Sequence, residues 1–315
     1  MRSRFVSFAV LAGLGLAGPG MKKLEACSLC QCGDPTYSLI GSQVFEPSGF
    51  RLSLDGDRYS KDQVAVHHDD HAEEGGEDNE VPGAEPREEE VENRITLSAS
   101  HSFGERVTLL ARIPFSHRTI TTGGVSESKS GLSDPEIVGH ARLWSSGPDS
   151  WVSLTAGVKT PWGQNDATVD GERAEEHLQP GTGAWGGSAG LAFGRGFQGR
   201  SSLFGSAFGR FNGRNDYGYK YGDVVLANLA YERRLASRLN GVVEMNFRSA
   251  RKDEEAEGEP DPNTGGNVLY VSPRLLLRLT GEIWLRAGVQ IPIWKDLYGD
   301  QDEHVNVLVG LTFKL

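Results

Sequence analysis

The chain has 315 residues, a formal net charge of −11, 41 glycines and 37% hydrophobic residues, a composition that suits strands apolar on one face rather than a soluble enzyme with a thick core. The negative charge is local: between Lys61 and Glu92 thirteen acidic residues stand against two basic ones, as much as the net charge of the whole protein. Such a polyanionic insert argues against nucleic acid as a partner, because phosphate binding needs the opposite sign.

At the N-terminus, Arg2 and Arg4 precede an apolar run from Phe5 to Ala17 that ends in a small-x-small pattern, Gly15-Leu16-Ala17. Residues 1–17 therefore read as a secretory signal peptide. The run is shorter than the roughly 20 apolar residues of a membrane helix, and no later segment approaches that length. Residues 18–46 are expected to form a periplasmic segment that carries all three cysteines. Cys27, Cys30 and Cys32 combine a C-x-x-C with a C-x-C, a spacing that suits a soft or borderline metal ion, with Asp34 or a more distant histidine completing the set. A disulfide formed in an oxidising compartment and lipidation of Cys27 are the competing readings.

From residue 47 onward the dominant signal is a period of two, which puts alternate side chains on opposite faces of a strand. It is clearest in Val305, Val307, Val309, Leu311, Phe313 and Leu315 and in Ile283, Leu285, Ala287, Val289, Ile291 and Ile293. Runs at 47–59, 94–100, 107–113, 135–144, 152–159, 183–194, 201–211, 223–233, 239–248, 267–279, 283–293 and 305–315 give twelve strands, an even number. Long polar connections (60–91, 117–131, 162–180, 212–222, 250–266 and 295–303) alternate with short turns. That alternation points to an all-β, antiparallel transmembrane barrel over 47–315, with short periplasmic turns and long extracellular loops. Closure supplies every backbone group with a partner, which no open sheet in lipid can do. Phe115, Trp144, Trp151, Trp162, Trp294 and Phe313 lie near strand ends, where interfacial girdles are expected.

The acidic extracellular loop, 60–91, contains His67, His68, Asp69, Asp70 and His71. Imidazoles and carboxylates at this density suit zinc, copper or nickel; the alternative is a solvated loop that repels anions at a channel mouth. The polar phase of the strands carries Arg94, Arg112, Glu136, His140, Arg142, Lys159, Glu232, Glu244, Arg248, Arg274, Arg278 and Arg286, costly in lipid but acceptable in a wet lumen. Bases outnumber acids in this set, so the lumen either favours anions mildly or pairs its charges across neighbouring strands.

Three strings carry a resemblance. "GLSDPEIVGHARLW" (Gly131 to Trp144), "LTAGVKTPWG" (Leu154 to Gly163) and "LQPGTGAW" (Leu178 to Trp185) resemble the Gly-x-x-Asp-Pro, Gly-x-Lys-x-Pro-x-Gly and Gly-x-Gly elements of the outer-membrane family labelled MetA-pathway of phenol degradation. The resemblance covers roughly residues 90–315, and this chain carries Trp162 where threonine is common. It implies a passive channel in the bacterial outer membrane, aromatic compounds as cargo for some members, and no catalytic residues.

The sequence thus leads to a porin-like outer-membrane barrel whose partners are membrane lipid and a small-molecule or ion cargo. The competing class is a metal-binding surface or sensor barrel with a plugged lumen, and a soluble secreted β-sandwich is the third. The residues leave the oligomeric state open.

Overall fold

A strand that alternates hydrocarbon with polar groups is at home where one face meets lipid and the other a wet interior. The computed structural model of the chain describes residues 49–64, 87–147, 150–197 and 200–315. The strands are β1 (Gly49–Val64), β2 (Arg87–Phe103), β3 (Val107–Thr122), β4 (Val125–Leu132), β5 (Glu136–Ser145), β6 (Ser150–Lys159), β7 (Thr168–Val169), β8 (Glu172–Arg173), β9 (Gly186–Phe197), β10 (Ser201–Asn212), β11 (Val224–Ala236), β12 (Leu239–Ala250), β13 (Gly266–Arg278), β14 (Ile283–Leu297), β15 (Gln301–Glu303) and β16 (Asn306–Lys314). One 3-10 turn, Glu176–Leu178, lies between β8 and β9.

Twelve of these strands form a wall in chain order, each antiparallel to its neighbours, and the four short ones β4, β7, β8 and β15 lie beyond it at the long-loop end. The wall closes because β16 pairs with β1, from Arg51↔Lys314 to Arg58↔Val307. Expectation and structure agree on the barrel and its twelve wall strands.

Which face meets lipid is decided by exposure. In β2, Ile95 and Leu97 are 56% and 49% exposed, while Thr96 and Ser98 between them are 2% and 3% exposed. The same inversion recurs in β3, where Leu109, Ile113 and Phe115 face out and Thr108, Leu110 and Ser116 face in. The apolar outer face of β3 from Val107 to Phe115 is about 27 Å long at a strand rise of about 3.4 Å. Tilted by about 40°, it covers roughly 21 Å along the barrel axis, near the ~25 Å of an outer-membrane apolar band.

Four segments expected as loops are partly strand: 162–180 holds β7 and β8, 295–303 holds the end of β14 and β15, and the other two, 60–91 and 117–131, lengthen wall hairpins. β1 continues to Val64 and β2 begins at Arg87, paired to the end as Val64↔Arg87, so 60–64 and 87–91 belong to the ladder. The extension is held by inward polar pairs in place of hydrocarbon: Lys61 Nζ lies 2.6 Å from Glu90 and Gln63 donates to Glu88 at 2.8 Å. Likewise 117–131 is a hairpin of the β3 end with β4. Its outer face is a ladder of hydroxyls, Thr119 with Ser128 and Thr121 with Ser126, both at 2.8 Å. The inner face carries Arg118 and Ile120 opposite Lys129 and Glu127, so polar groups occupy both faces and no hydropathy alternation marks this hairpin.

Inside the barrel, Leu110, Val138, Trp151, Phe204, Ala230 and Val242 form a buried apolar cluster, with Ala192 and Leu276 packed against it. Trp151, expected in a lipid-interface girdle, is 6% exposed and part of this inner cluster. The indole lies flat against Gly194, where a Cβ would come within 2.6 Å of the ring. Trp144, Trp162 and Trp294 are exposed, as the girdle reading requires.

Candidate functional site

Charges on the inner face of the wall are paired across strands. Arg94 of β2 lies 3.6 Å from Asp57 of β1 and donates to the Tyr59 hydroxyl at 2.8 Å. Glu136 of β5 takes two arginines, Arg210 of β10 at 2.8 Å and Arg112 of β3 at 3.6 Å. Arg274 of β13 meets Glu244 of β12 at 2.8 Å, and Arg286 of β14 meets Asp55 of β1 at 2.6 Å. Arg248 is paired with Glu303, which also accepts from the Tyr270 hydroxyl. His140 is buried against the Thr155 hydroxyl at 3.0 Å, and Glu232 accepts from Asn240. Arg142 and Arg278 lie at the short-turn end, the first 3.9 Å from Glu105, the second donating to the Ser237 carbonyl at 3.1 Å.

The structure adds partners that sequence reasoning missed: Asp55, Asp57, Asp134, Arg210 and Glu303. Asp55, Asp57 and Arg210 sit in runs with weak apolar alternation, Asp134 at a strand corner and Glu303 in a stretch read as loop. Because most of these are acids, the inner surface is nearer to neutral than the sequence set suggested. Arg94, Arg112, Lys159 and Arg210 line a cleft with Asp134, Glu136, Thr96 and Pro114. The apolar cluster lies one inward position nearer the short turns, since Leu110 pairs with Val138 two residues from the Arg112↔Glu136 pair.

The three glycine-rich strings of the sequence converge beside this cleft. Asp134, from the first, accepts from the Gly163 amide of the second at 3.0 Å and from the Thr182 amide of the third at 2.9 Å. Its carboxylate also binds the Thr182 hydroxyl and, at 3.2 Å, Lys159 Nζ. The glycines are spacing devices. A Cβ on Gly163 would come within 2.7 Å of the Asp134 amide nitrogen, and one on Gly181 within 2.6 Å of the Gly163 Cα, closer than packed atoms approach. This knot ties both ends of residues 160–185 to the wall, so the segment is a strap across the mouth.

The strap tip is fastened separately. Leu178 and Gln179 are fully buried, and the Gln179 side-chain amide donates to the carbonyls of Ala167 and Ala174. His177 lies between Glu90 of β2 and Asp261 of the β12–β13 loop, 3.7 Å and 3.4 Å away. Burial alone would lower its pKa, but the Glu90 carboxylate and the Asp261 contact outweigh this and hold it up at about 9. Asp253, enclosed beside Tyr219, is pushed up by burial to about 7, and burial with Asp253 and Asp261 nearby raises the Tyr219 phenol well above its usual range. Neither His177 nor this cluster carries a sequence signal, because its members come from four separate segments.

The expected metal ligands Cys27, Cys30, Cys32, His67, His68, Asp70 and His71 lie outside the described residues. Among the described residues, no group of three or more His, Cys, Asp or Glu side chains is disposed to hold a metal ion.

A profile of the family described as MetA-pathway of phenol degradation matches residues 87–295, about two thirds of the chain and all three strings of the knot. The chain belongs to this family. Its fold is similar to that of an outer membrane channel from Pseudomonas putida F1, with a TM-score of 0.62 and 9% identity over 86% of this chain and 97% of that one. The toluene transporter TbuX of Ralstonia pickettii aligns at a TM-score of 0.46 and 8% identity, over 90% and 94% of the two chains, too distant to carry an argument. No curated protein sequence matches. Family membership and the closed twelve-stranded barrel place this member in the bacterial outer membrane.

Proposed function

We propose that the protein is a passive, non-enzymatic channel that moves small solutes across the outer membrane. The observation that carries this reading is the inner face itself, a layer of paired charges around a cleft rather than a continuous hydrocarbon core. Buried ion pairs are poor stabilisers compared with apolar side chains of equal size. A lumen built from them is therefore better explained by a need for polar solute contacts than by stability. Leu110 and Val138 lie one inward position from Arg112 and Glu136, and the rings of Trp151 and Phe204 follow deeper, toward the short turns. That succession suits a small aromatic molecule bearing a hydroxyl or carboxylate, whose polar end meets the charges while the ring passes the apolar layer. The long loops then face outward, and both ends of the barrel chain lie on the periplasmic side.

Liposome swelling tests this. Purified protein in vesicles should admit 4-hydroxybenzoate faster than glucose, and Arg112→Ala should reduce the difference. Swelling no faster than that of protein-free vesicles for either solute would reject the channel reading. Equal rates for the two solutes would leave a channel and reject the aromatic cargo.

A further inference from the structure

The strap could in principle rest on the mouth by packing alone, yet its tip is set on titratable groups. Both ring nitrogens of His177 face carboxylates: Nδ1 lies 3.7 Å from Glu90 Oε2, and Nε2 lies 3.4 Å from Asp261 Oδ2. A neutral imidazole has one N–H and one lone pair, so one carboxylate would face a lone pair. Only the imidazolium can donate to both sides. We propose that His177 is a protonation latch, which fastens the strap over the barrel mouth and releases it as the surrounding water turns alkaline.

The neighbours supplied by each packed element agree with that sense. From β1, Lys61 is tied to Glu90, which keeps this carboxylate in place beneath the ring. From β3, Arg118 donates to the His177 carbonyl at 3.1 Å, holding the backbone. From the β10–β11 loop, the Tyr219 hydroxyl lies 3.4 Å from Nε2 and donates to Asp253 at 2.9 Å. The β12–β13 loop brings both Asp253 and Asp261. On the strap itself Glu175 adjoins His177, and Glu176 is engaged by Arg173 at 2.7 Å and by Asn215. The two carboxylates that face the ring nitrogens, Glu90 and Asp261, are both engaged by the protonated ring, so the latch gains from the proton on His177.

The direction follows from linkage. Burial works against the His177 charge, but Glu90 and Asp261 raise its pKa from 6.5 to about 9. A pKa raised in the fastened state gives a contribution fully present below about 6.5 and lost as pH rises through about 9. Asp253, raised by burial from 3.8 to about 7, acts in the same sense, as does Glu175, raised by burial from 4.5 to about 7: each contribution is full only below the ordinary carboxylate range and is lost as pH rises to about 7. Asp261 is held below its usual range; although burial opposes this, His177 prevails. Its contribution is therefore lost only in stronger acid. The fastening is tightest in acid water near the ordinary carboxylate range; it weakens first as Asp253 ionises up to about pH 7 and then, by the larger step, as His177 loses its proton up to about pH 9.

Hydrogen exchange on the full-length protein in detergent micelles reads the latch directly, after correction for the intrinsic pH dependence of exchange. The amides of Ala174, Leu178 and Gln179, which are bonded within the strap, should lose protection on the order of 100-fold between pH 6 and pH 9.5, the ratio implied by the His177 shift. His177→Gln should be poorly protected already at pH 6 and show no step between pH 7.5 and pH 9.5, above the range in which Asp253 titrates; His177→Arg should keep its protection across that interval. Protection in the wild type that is flat with pH, or the same step in His177→Gln, would overturn the proposal. Conductance recorded over the same pH range separates this from the channel reading. A step in exchange with no conductance at any pH would keep the latch and discard the channel.

Discussion

Asp134→Ala should detach the strap while leaving the barrel intact. The Asp134 carboxylate accepts from the Gly163 and Thr182 amides at 3.0 and 2.9 Å, from the Thr182 hydroxyl, and from Lys159 Nζ at 3.2 Å. A hydrogen bond to a charged group contributes about 1.5–3 kcal/mol, but these four share one anchor and do not add. A better bound is the cost of deleting one partner of a buried pair, about 3–5 kcal/mol, since Lys159 is 5% exposed and loses its nearest carboxylate. At about 1.4 kcal/mol per decade, that range weakens docking by a factor on the order of 100 to 4000. Trypsin reports it: Arg173 lies in the strap, and in the limit of fast opening and closing, cleavage there follows the population of the undocked form. The variant should be cut after Arg173 at least about 100 times faster than the wild type, with unchanged heat-modifiable migration showing that the barrel persists. Asp134→Asn, which keeps one acceptor for Gly163 but no charge for Lys159, should fall between. Equal cleavage rates in wild type and Asp134→Ala would show that the three glycine strings do not hold the strap, and the reasoning would fail.

Other consequences can be checked independently. Glu244→Ala removes the carboxylate 2.8 Å from buried Arg274 and should lower stability to urea in vesicles by about 3 kcal/mol, with Glu244→Gln losing less; no loss would mean that water replaces the carboxylate freely. Leu97→Arg places a charge on the lipid face and should cost about 2–4 kcal/mol, whereas Thr96→Ser on the inner face should be nearly silent; the same urea titration compares them. Trp151→Ala empties part of the inner apolar cluster and should raise single-channel conductance while costing about 3–5 kcal/mol. Conductance unchanged by that substitution would place the narrowest point of the lumen elsewhere. Gly181→Ala, facing the Gly163 Cα at 2.6 Å, should act as a milder Asp134→Ala, by about 1–3 kcal/mol.

The barrel was legible because lipid imposes a simple rule on sequence: where Ile95, Leu97 and Ala99 face hydrocarbon, Thr96, Ser98 and Ser100 must face away, and the period survives without knowledge of any contact. The rule fails above the lipid. Lys61, Gln63, Glu88 and Glu90 pair inward in the extended ends of β1 and β2, but their outward neighbours are polar too, so no alternation marks them. It also fails to distinguish an interior aromatic from a girdle, as with Trp151, since both lie near a strand end. The candidate site was half visible. Arg112, Glu136 and Lys159 follow from strand phase, and the three glycine strings stood out as strings, but their meeting at Asp134 is a property of the closed sheet. His177 illustrates the remainder, because Glu90, Tyr219, Asp253 and Asp261 are near it only once four distant segments share one mouth.

The pairing of β16 with β1 bears on how the molecule is made. Ser53 and Thr312 share a hydroxyl hydrogen bond across a sequence separation of 259 residues, and every backbone bond of that seam waits for the last nine residues of the wall. A chain stopped before Asn306 would present two open edges, β14 and β1, to a solvent that offers no hydrogen bonds. Closure of this seam and residence in lipid are therefore coupled, because the two edges find backbone partners in the bilayer only in each other.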